Sequence, residues 1–217
     1  YPFHRLTEPV ENIFRREALG IDANDVLIGA FVSIGKLSPR CMALWQRVLE
    51  AIPMAKLAFS PFSEADRAHY HNVASAAGIA RERYVFVPQG GGESENLARY
   101  AMVDFVLDTM PYGSVNGAFE PLSMGVPIVT LLGKRHGERT VYSILANLGV
   151  TDTVARTEDE FIAIAARLAG DTEYSSDLRG RIRAGMADSA LVDMDSHVRH
   201  LEAAFIKAYS ACTNPAT

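Results

Sequence analysis

The stretch Leu107–Gly133 gathers the residues of this chain best placed to do chemistry. It reads as a strand, a loop bearing Gly113 and Gly117, a helix start, a Gly125-Val126-Pro127 turn and a second strand. That order sets the start of a helix at the carboxyl end of a parallel sheet. The N–H groups of the first helical turn have no intrahelical acceptors, and the helix dipole adds partial positive charge. A phosphate fits such a place. Val115, Asn116 and Gly117 form the turn into the helix, with Asn116 expected as N-cap. Glu120, expected in the first turn with Pro121, could take ribose hydroxyls. A plainer account fits the same residues: Asn116 caps the helix and Glu120 complements the dipole.

Three further loops belong to the same sheet edge. Ser33-Ile34-Gly35-Lys36 follows the first strand, and Lys36 is either a point charge for a phosphate or an ordinary surface lysine. Neither G-x-x-x-x-G-K-[ST] nor G-x-G-x-x-G occurs, which counts against a P-loop and a dinucleotide fingerprint. In Pro88–Glu93, three glycines would let a planar ring lie close to the backbone. Gln89 and the amides of Gly90 and Gly91 could read a base edge; a flexible loop is the alternative. In Gly133–Arg139, His136 and Arg139 could contact a diphosphate or sugar. The basic cluster Lys134-Arg135-His136 is otherwise a solvated loop. Asp108, closing the fourth strand, either orients the loop that follows or makes an Asx-turn. His69 and His71 do not share a helix face and are expected in solvent, as are His197 and His200. No Ser-His-Asp or Cys-His set can be assembled, so the catalytic residues are unassigned.

The elements that must position these loops alternate. Apolar strands are expected at 26–33, 55–60, 84–87, 105–108, 127–131 and 153–155, with helices at 39–52, 63–78, 93–102 and 138–148. This alternation predicts an α/β fold: a doubly wound, mainly parallel Rossmann-like sheet with right-handed crossovers. Ligands sit beyond the carboxyl ends of such strands. After Thr157 three helical stripes follow: Phe161/Ile164/Ala165/Leu168, Leu178/Ile182/Met186 and Val198/Leu201/Phe205/Tyr209. The expected organisation is a linker with a short helix near 10–19 (residues 1–20), a Rossmann-like domain (21–156), helices packing on it (157–212) and a tail (213–217).

The chain has 217 residues, 48 % hydrophobic and 22 % charged, with a net charge of −5. No basic tract suits a nucleic-acid backbone, so no nucleic-acid partner is expected. Two separated cysteines, Cys41 and Cys212, offer neither a disulfide framework nor a zinc site, so no metal is expected; they suit a reducing cytoplasm. No apolar run reaches the roughly 18 residues of a membrane span, and no signal peptide is visible. The chain starts at Tyr1 rather than Met, as a fragment or processed product would.

Taken in order, these blocks resemble the nucleotide-sugar-binding half of the O-linked N-acetylglucosamine transferase family. The resemblance covers about residues 14–210. Leu107–Thr130, Gly133 with the Arg135–Arg139 loop, and Phe31–Pro39 carry it. The fold it implies is the C-terminal half of GT-B, in the bacterial TPR-linked and N-glycosyltransferase-like branch. By this resemblance Lys36 contacts the donor diphosphate, and the amides of Asn116 and Gly117 hold phosphate. Glu120 meets the ribose, and Gly90–Gly92 with Asn96 surround the uracil. Val115-Asn116-Gly117 departs from the His-Thr-Thr run of the animal enzymes. The resemblance implies an inverting, metal-independent transferase with a UDP-sugar as co-substrate and no cofactor, a protein or peptide acceptor, and an N-terminal half of the same polypeptide. Rival readings are a UDP-N-acetylglucosamine epimerase, which needs acid/base residues not found here, and a non-catalytic sugar-nucleotide-binding or interaction module. A receiver-like domain lacks its acidic cluster at the first strand's end.

Overall fold

A computed structural model describes residues 13–213. Six strands, β1 (Val26–Gly29), β2 (Ala55–Phe59), β3 (Tyr84–Phe86), β4 (Phe105–Leu107), β5 (Ile128–Leu131) and β6 (Val154–Ala155), lie in the order β3-β2-β1-β4-β5-β6. Every pairing is parallel; Ile28 stands opposite Leu57 on one side and Phe105 on the other. Leu27, Ile28, Leu57, Phe59, Phe105, Leu107 and Val129 are fully buried. Burial on both faces is why these strands read as continuous apolar runs rather than alternating ones. The chain winds outward from β1 to β3, returns to β4 beside β1, then winds the other way. The β1/β4 junction is therefore the topological switch point, where the diverging loops leave a crevice.

Helices cover both faces. In α1 (Pro39–Ala51), the Ser38 side chain accepts the Cys41 N–H at 3.1 Å, Pro39 takes the first position, and Met42, Trp45, Val48 and Leu49 are buried. The Ser38 hydroxyl also donates to the Met110 carbonyl at 2.9 Å, so one residue starts α1 and fastens the loop after β4. Helices α6 (Glu158–Gly170) and α7 (Thr172–Ala187) carry the expected apolar stripes inward, and α2 (Glu64–Ala76) buries Tyr70 and Ala74. Ser63, Thr157 and Asp171 cap them.

Several boundaries differ from expectation. The first strand ends at Gly29, and Ile34–Lys36 is a 3₁₀ turn. The expected helix 93–102 is α3 (Glu93–Ala98) followed by a 3₁₀ turn, Arg99–Met102. The expected helix 138–148 is a 3₁₀ turn, His136–Glu138, then α5 (Thr140–Asn147). Of the short helix near 10–19, the described part holds a 3₁₀ turn at Glu17–Leu19; residues 10–12 lie outside the described residues, as do 214–217 of the tail.

Two larger corrections concern packing. The last helix, α8 (Met194–Thr213), buries none of its residues. Its stripe Val198, Leu201, Phe205 and Tyr209 is 45, 44, 65 and 71 % exposed, so the helices that pack on the sheet end with α7. His71 is half-buried rather than solvated: its Nδ1 meets the Tyr84 hydroxyl, and its ring packs edge-on to Phe86. The α2 face that presents it lies over the edge strand β3, a contact that helix periodicity cannot foresee. His69 and His200 are exposed.

Candidate functional site

The loops leaving β1 and β4 meet at the crevice. Lys36 Nζ donates to the Gly113 carbonyl at 3.4 Å across 77 positions of sequence. Beyond that contact begins α4 (Asn116–Ser123). Its first backbone bonds run from Ala118 and Phe119 N–H to Val115 O, at 3.1 and 3.0 Å. Asn116 and Gly117 N–H therefore have no intrahelical acceptor and sit at the positive end of the dipole. Lys36, half-buried, stands beside them.

The capping expectation is corrected. Val115 is the N-cap position, and Asn116 is the first helical residue, exposed, with no side-chain cap bond at this end. The helix end thus keeps its donors open. Glu120 and Pro121 consequently fall beyond the first turn, at the fifth and sixth helical positions. Glu120 Oε2 accepts the buried Tyr100 hydroxyl at 2.9 Å. Burial first, then the Glu120 charge, raises the Tyr100 phenol well above its ordinary value, so it stays a donor.

The glycine-rich loop is more closed than its composition suggests. Gly90 N–H donates to Asn96 Oδ1 at 3.0 Å and Gly91 N–H to Glu95 Oε2 at 2.6 Å. Gln89 Nε2 donates to the Ser60 carbonyl at 2.5 Å. These three groups hold the loop rather than standing open to a base edge, which corrects the sequence expectation for Gln89, Gly90 and Gly91. Gly90 is tight: a Cβ there would lie 2.6 Å from the backbone of Glu95 and Asn96. Asn96 thereby shapes the loop.

Sequence reasoning passed over the cation at the centre of this half. Arg99 is 6 % exposed. It donates to Ser60 Oγ at 2.6 Å, to Gln89 Oε1 at 3.3 Å and to the Asn96 carbonyl at 3.0 Å. Its guanidinium lies 4.9 Å from the centroid of Phe31, which packs on Tyr100 at 5.2 Å. Phe31 so links the glycine-rich loop to the Tyr100–Glu120 pair. The signal available was a charged residue between the apolar Leu97, Ala98 and Tyr100 in a segment expected to be helical.

Ser33 is exposed at the head of the 3₁₀ turn carrying Lys36. His136 and Arg139, both exposed, line a cavity of about 590 Å³ with Val115, Tyr142 and Asn147. Arg139 donates to the Gly133 carbonyl at 3.1 Å and stacks on Tyr142. A larger hollow, about 860 Å³, lies at the other, amino end of the strands beside Arg16, Asp25, Asp104 and Arg179. Two of its carboxylates already pair, Asp104 with Arg16 and Asp25 with Lys56, and the expected ligand loops lie at the opposite end of the strands, so we place the chemistry at the carboxyl edge. Among the described residues no group of three or more His, Cys, Asp or Glu could hold a metal ion, and no helix is long and apolar enough to cross a membrane.

A doubly wound parallel sheet with a crevice at its switch point is the α/β architecture found in GT-B glycosyltransferases. Residues 9–201 match the family model described as glycosyl transferase family 41, and the chain belongs to that family. It is 32 % identical over 183 residues to the probable UDP-N-acetylglucosamine–peptide N-acetylglucosaminyltransferase SPINDLY of Petunia hybrida, covering 83 % of this chain and 20 % of that protein. The chain thus spans about a fifth of the length of the curated relatives it matches. Among solved structures it resembles a mutant O-GlcNAc transferase of Thermobaculum terrenum, with a TM-score of 0.81 and 29 % identity, over 89 % of this chain and 38 % of that one. It also shares its fold with Anabaena Alr3699/HepE, solved with UDP and glucose, at a TM-score of 0.63 and 14 % identity, over 87 % of this chain and 51 % of that one.

Proposed function

We propose that this chain is the donor-binding half of an inverting, metal-independent glycosyltransferase that moves a sugar from UDP-N-acetylglucosamine or UDP-glucose to Ser/Thr or Asn of a protein in the cytoplasm. The observation that carries the reading is the convergence of Lys36 on Gly113, at the open amino end of α4. The diphosphate lies over Asn116 and Gly117 N–H and beside Lys36 Nζ. Glu120, held through one oxygen by Tyr100, turns the other to the ribose. The uracil rests against the Gly90–Gly92 loop, with Arg99 beneath it. The names of the relatives, peptide N-acetylglucosaminyltransferases, support the protein acceptor and the N-acetylglucosamine donor.

In the reaction an acceptor atom attacks the anomeric carbon as UDP leaves, and a single displacement inverts that centre. Negative charge grows on the departing diphosphate. Lys36 and the helix amides meet it more strongly in the transition state than in the ground state, the role a metal would otherwise serve. The acceptor subsite and the proton acceptor belong to a further half of the same polypeptide, TPR-linked in this reading. The exposed stripe of α8, an apolar surface on a helix with no buried face, is where that half docks.

Titrating UDP into the full-length polypeptide by calorimetry tests the site. Wild type binds UDP without added metal and in the presence of a chelator, and Lys36→Ala weakens binding about tenfold, as loss of one charge-assisted hydrogen bond should. Absence of UDP binding at millimolar concentration, or unchanged affinity in Lys36→Ala, removes the assignment.

A further inference from the structure

Asp108 lies just after β4 and is 5 % exposed, yet its carboxylate is not part of the donor surface described above. All the recorded groups around it are donors. Oδ1 accepts the Ser114 N–H at 3.0 Å, and Oδ2 accepts the Thr130 hydroxyl at 2.8 Å. The Thr109 N–H adds a backbone hydrogen bond, and the Lys36 charge acts on it from β1's loop. One side chain therefore joins both ends of the 109–114 loop to β5.

The surrounding contacts give the same loop a second set of ties. Gly113 N–H donates to Gly137 O at 2.9 Å, Thr140 Oγ1 to Ser114 O at 3.4 Å, and Lys36 Nζ to Gly113 O. Gly113 leaves no slack: a Cβ there would sit 2.7 Å from Thr140 Oγ1 and 3.2 Å from Asp108 Oδ2. Ser114 is two residues before Asn116, so whatever fixes its N–H also fixes where the open amides of α4 point. An ordinary Asx-turn would bond two residues on. This carboxylate reaches six residues on, to the far end of the loop.

We propose that Asp108 is a positioning residue for the donor diphosphate: it sets the Ser114–Gly117 backbone, and through it the aim of the α4 amides, without touching the ligand. This rests on the reading that UDP binds at that helix end. A buried carboxylate surrounded by donors suits the task because it accepts from several directions at once, whereas an amide offers a single acceptor atom.

The test compares UDP with uridine on the full-length polypeptide, by calorimetry and by saturation-transfer NMR. Asp108→Ala weakens UDP about tenfold while uridine affinity stays within twofold, because only the diphosphate reads the α4 amides. Asp108→Asn, which keeps an acceptor for Ser114 N–H, recovers most of the loss. If Asp108→Ala does not fold, Thr130→Val carries the same comparison, since it frees Oδ2 at nearly constant volume. UDP affinity within twofold of wild type in a folded Asp108→Ala or Thr130→Val overturns the proposal, as does an equal loss of uridine. Wild-type UDP binding that Lys36→Ala weakens, with Asp108 variants unaffected, sinks this inference alone; wild type that binds no UDP sinks both.

Discussion

At the residue scale, Asp108 shows how one side chain serves two demands that oppose each other. Burial, the largest influence, pushes its carboxyl up to about 6 from the usual 3.8, against the pull of Thr130, Ser114, Thr109 and Lys36. The folded chain therefore holds this proton more tightly than the unfolded chain does. Stability from this group is present at low pH and is lost as pH rises from about 4 through 6, with nothing further lost above that. Wild type minus Asp108→Asn should fall by about 2 kcal/mol between pH 4.5 and 7.5. Urea midpoints of the two proteins at both values measure it; a pH-independent difference would show that the carboxylate ionises normally. The sequence showed Asp108 as a strand-end residue with two possible roles. It could not show Thr130 behind it, because that contact spans 22 positions. Glu120 was legible as a carboxylate near the helix start, but its partner Tyr100 was not, being carried by a different element.

At the scale of elements, the site is made by short turns at the ends of strands. Ser38 is an example of an expected cap with an unexpected second function. Its side chain accepts from Cys41 N–H and donates to Met110 O, joining α1 to the loop after β4. Ser38→Ala should lower stability by about 1–2 kcal/mol, the loss of a cap plus one further hydrogen bond. Chemical denaturation measures this, and a change below a few tenths of a kcal/mol would mean the cap is replaced locally. Helices and strands were legible here because apolar periodicity is a local property. The 3₁₀ turns at Ile34–Lys36, Arg99–Met102 and His136–Glu138 were not, since tertiary contacts decide where a regular element gives way. The same limit applies to the capping of α4. Asn116 has the right chemistry for an N-cap, but the loop pinned by Asp108 starts the helix one residue earlier.

At the scale of the molecule, α8 carries an apolar stripe at helical spacing and buries none of it. Phe205 and Tyr209, 65 and 71 % exposed, are the largest groups on it. If that stripe docks on the further half of the polypeptide, Phe205→Glu should lower the melting temperature of the full-length protein by several degrees and reduce transfer, leaving UDP affinity at the α4 end unchanged. Differential scanning calorimetry together with UDP titration tells the outcomes apart: an unaltered melting temperature removes the docking surface, and a parallel loss of UDP binding makes α8 part of the donor fold. The periodicity of Val198, Leu201, Phe205 and Tyr209 announces an apolar face. It does not say what covers that face, and the described residues leave it uncovered.

By itself the sequence determined the doubly wound parallel architecture and set Lys36, Asn116, Gly117 and Glu120 in the turns and helix start at its carboxyl edge. Each follows from local information: apolar runs of strand length, helical spacing, glycines and caps at the junctions. The tertiary structure alone decided which of those groups are open. It closed Gln89 and the Gly90 and Gly91 amides onto the chain, placed Arg99 beneath them, left the α4 amides unsatisfied, and set Asp108 under the loop that aims them. The physical reason is that a polar group's availability depends on whether some other residue, distant in sequence, has already taken its hydrogen bond.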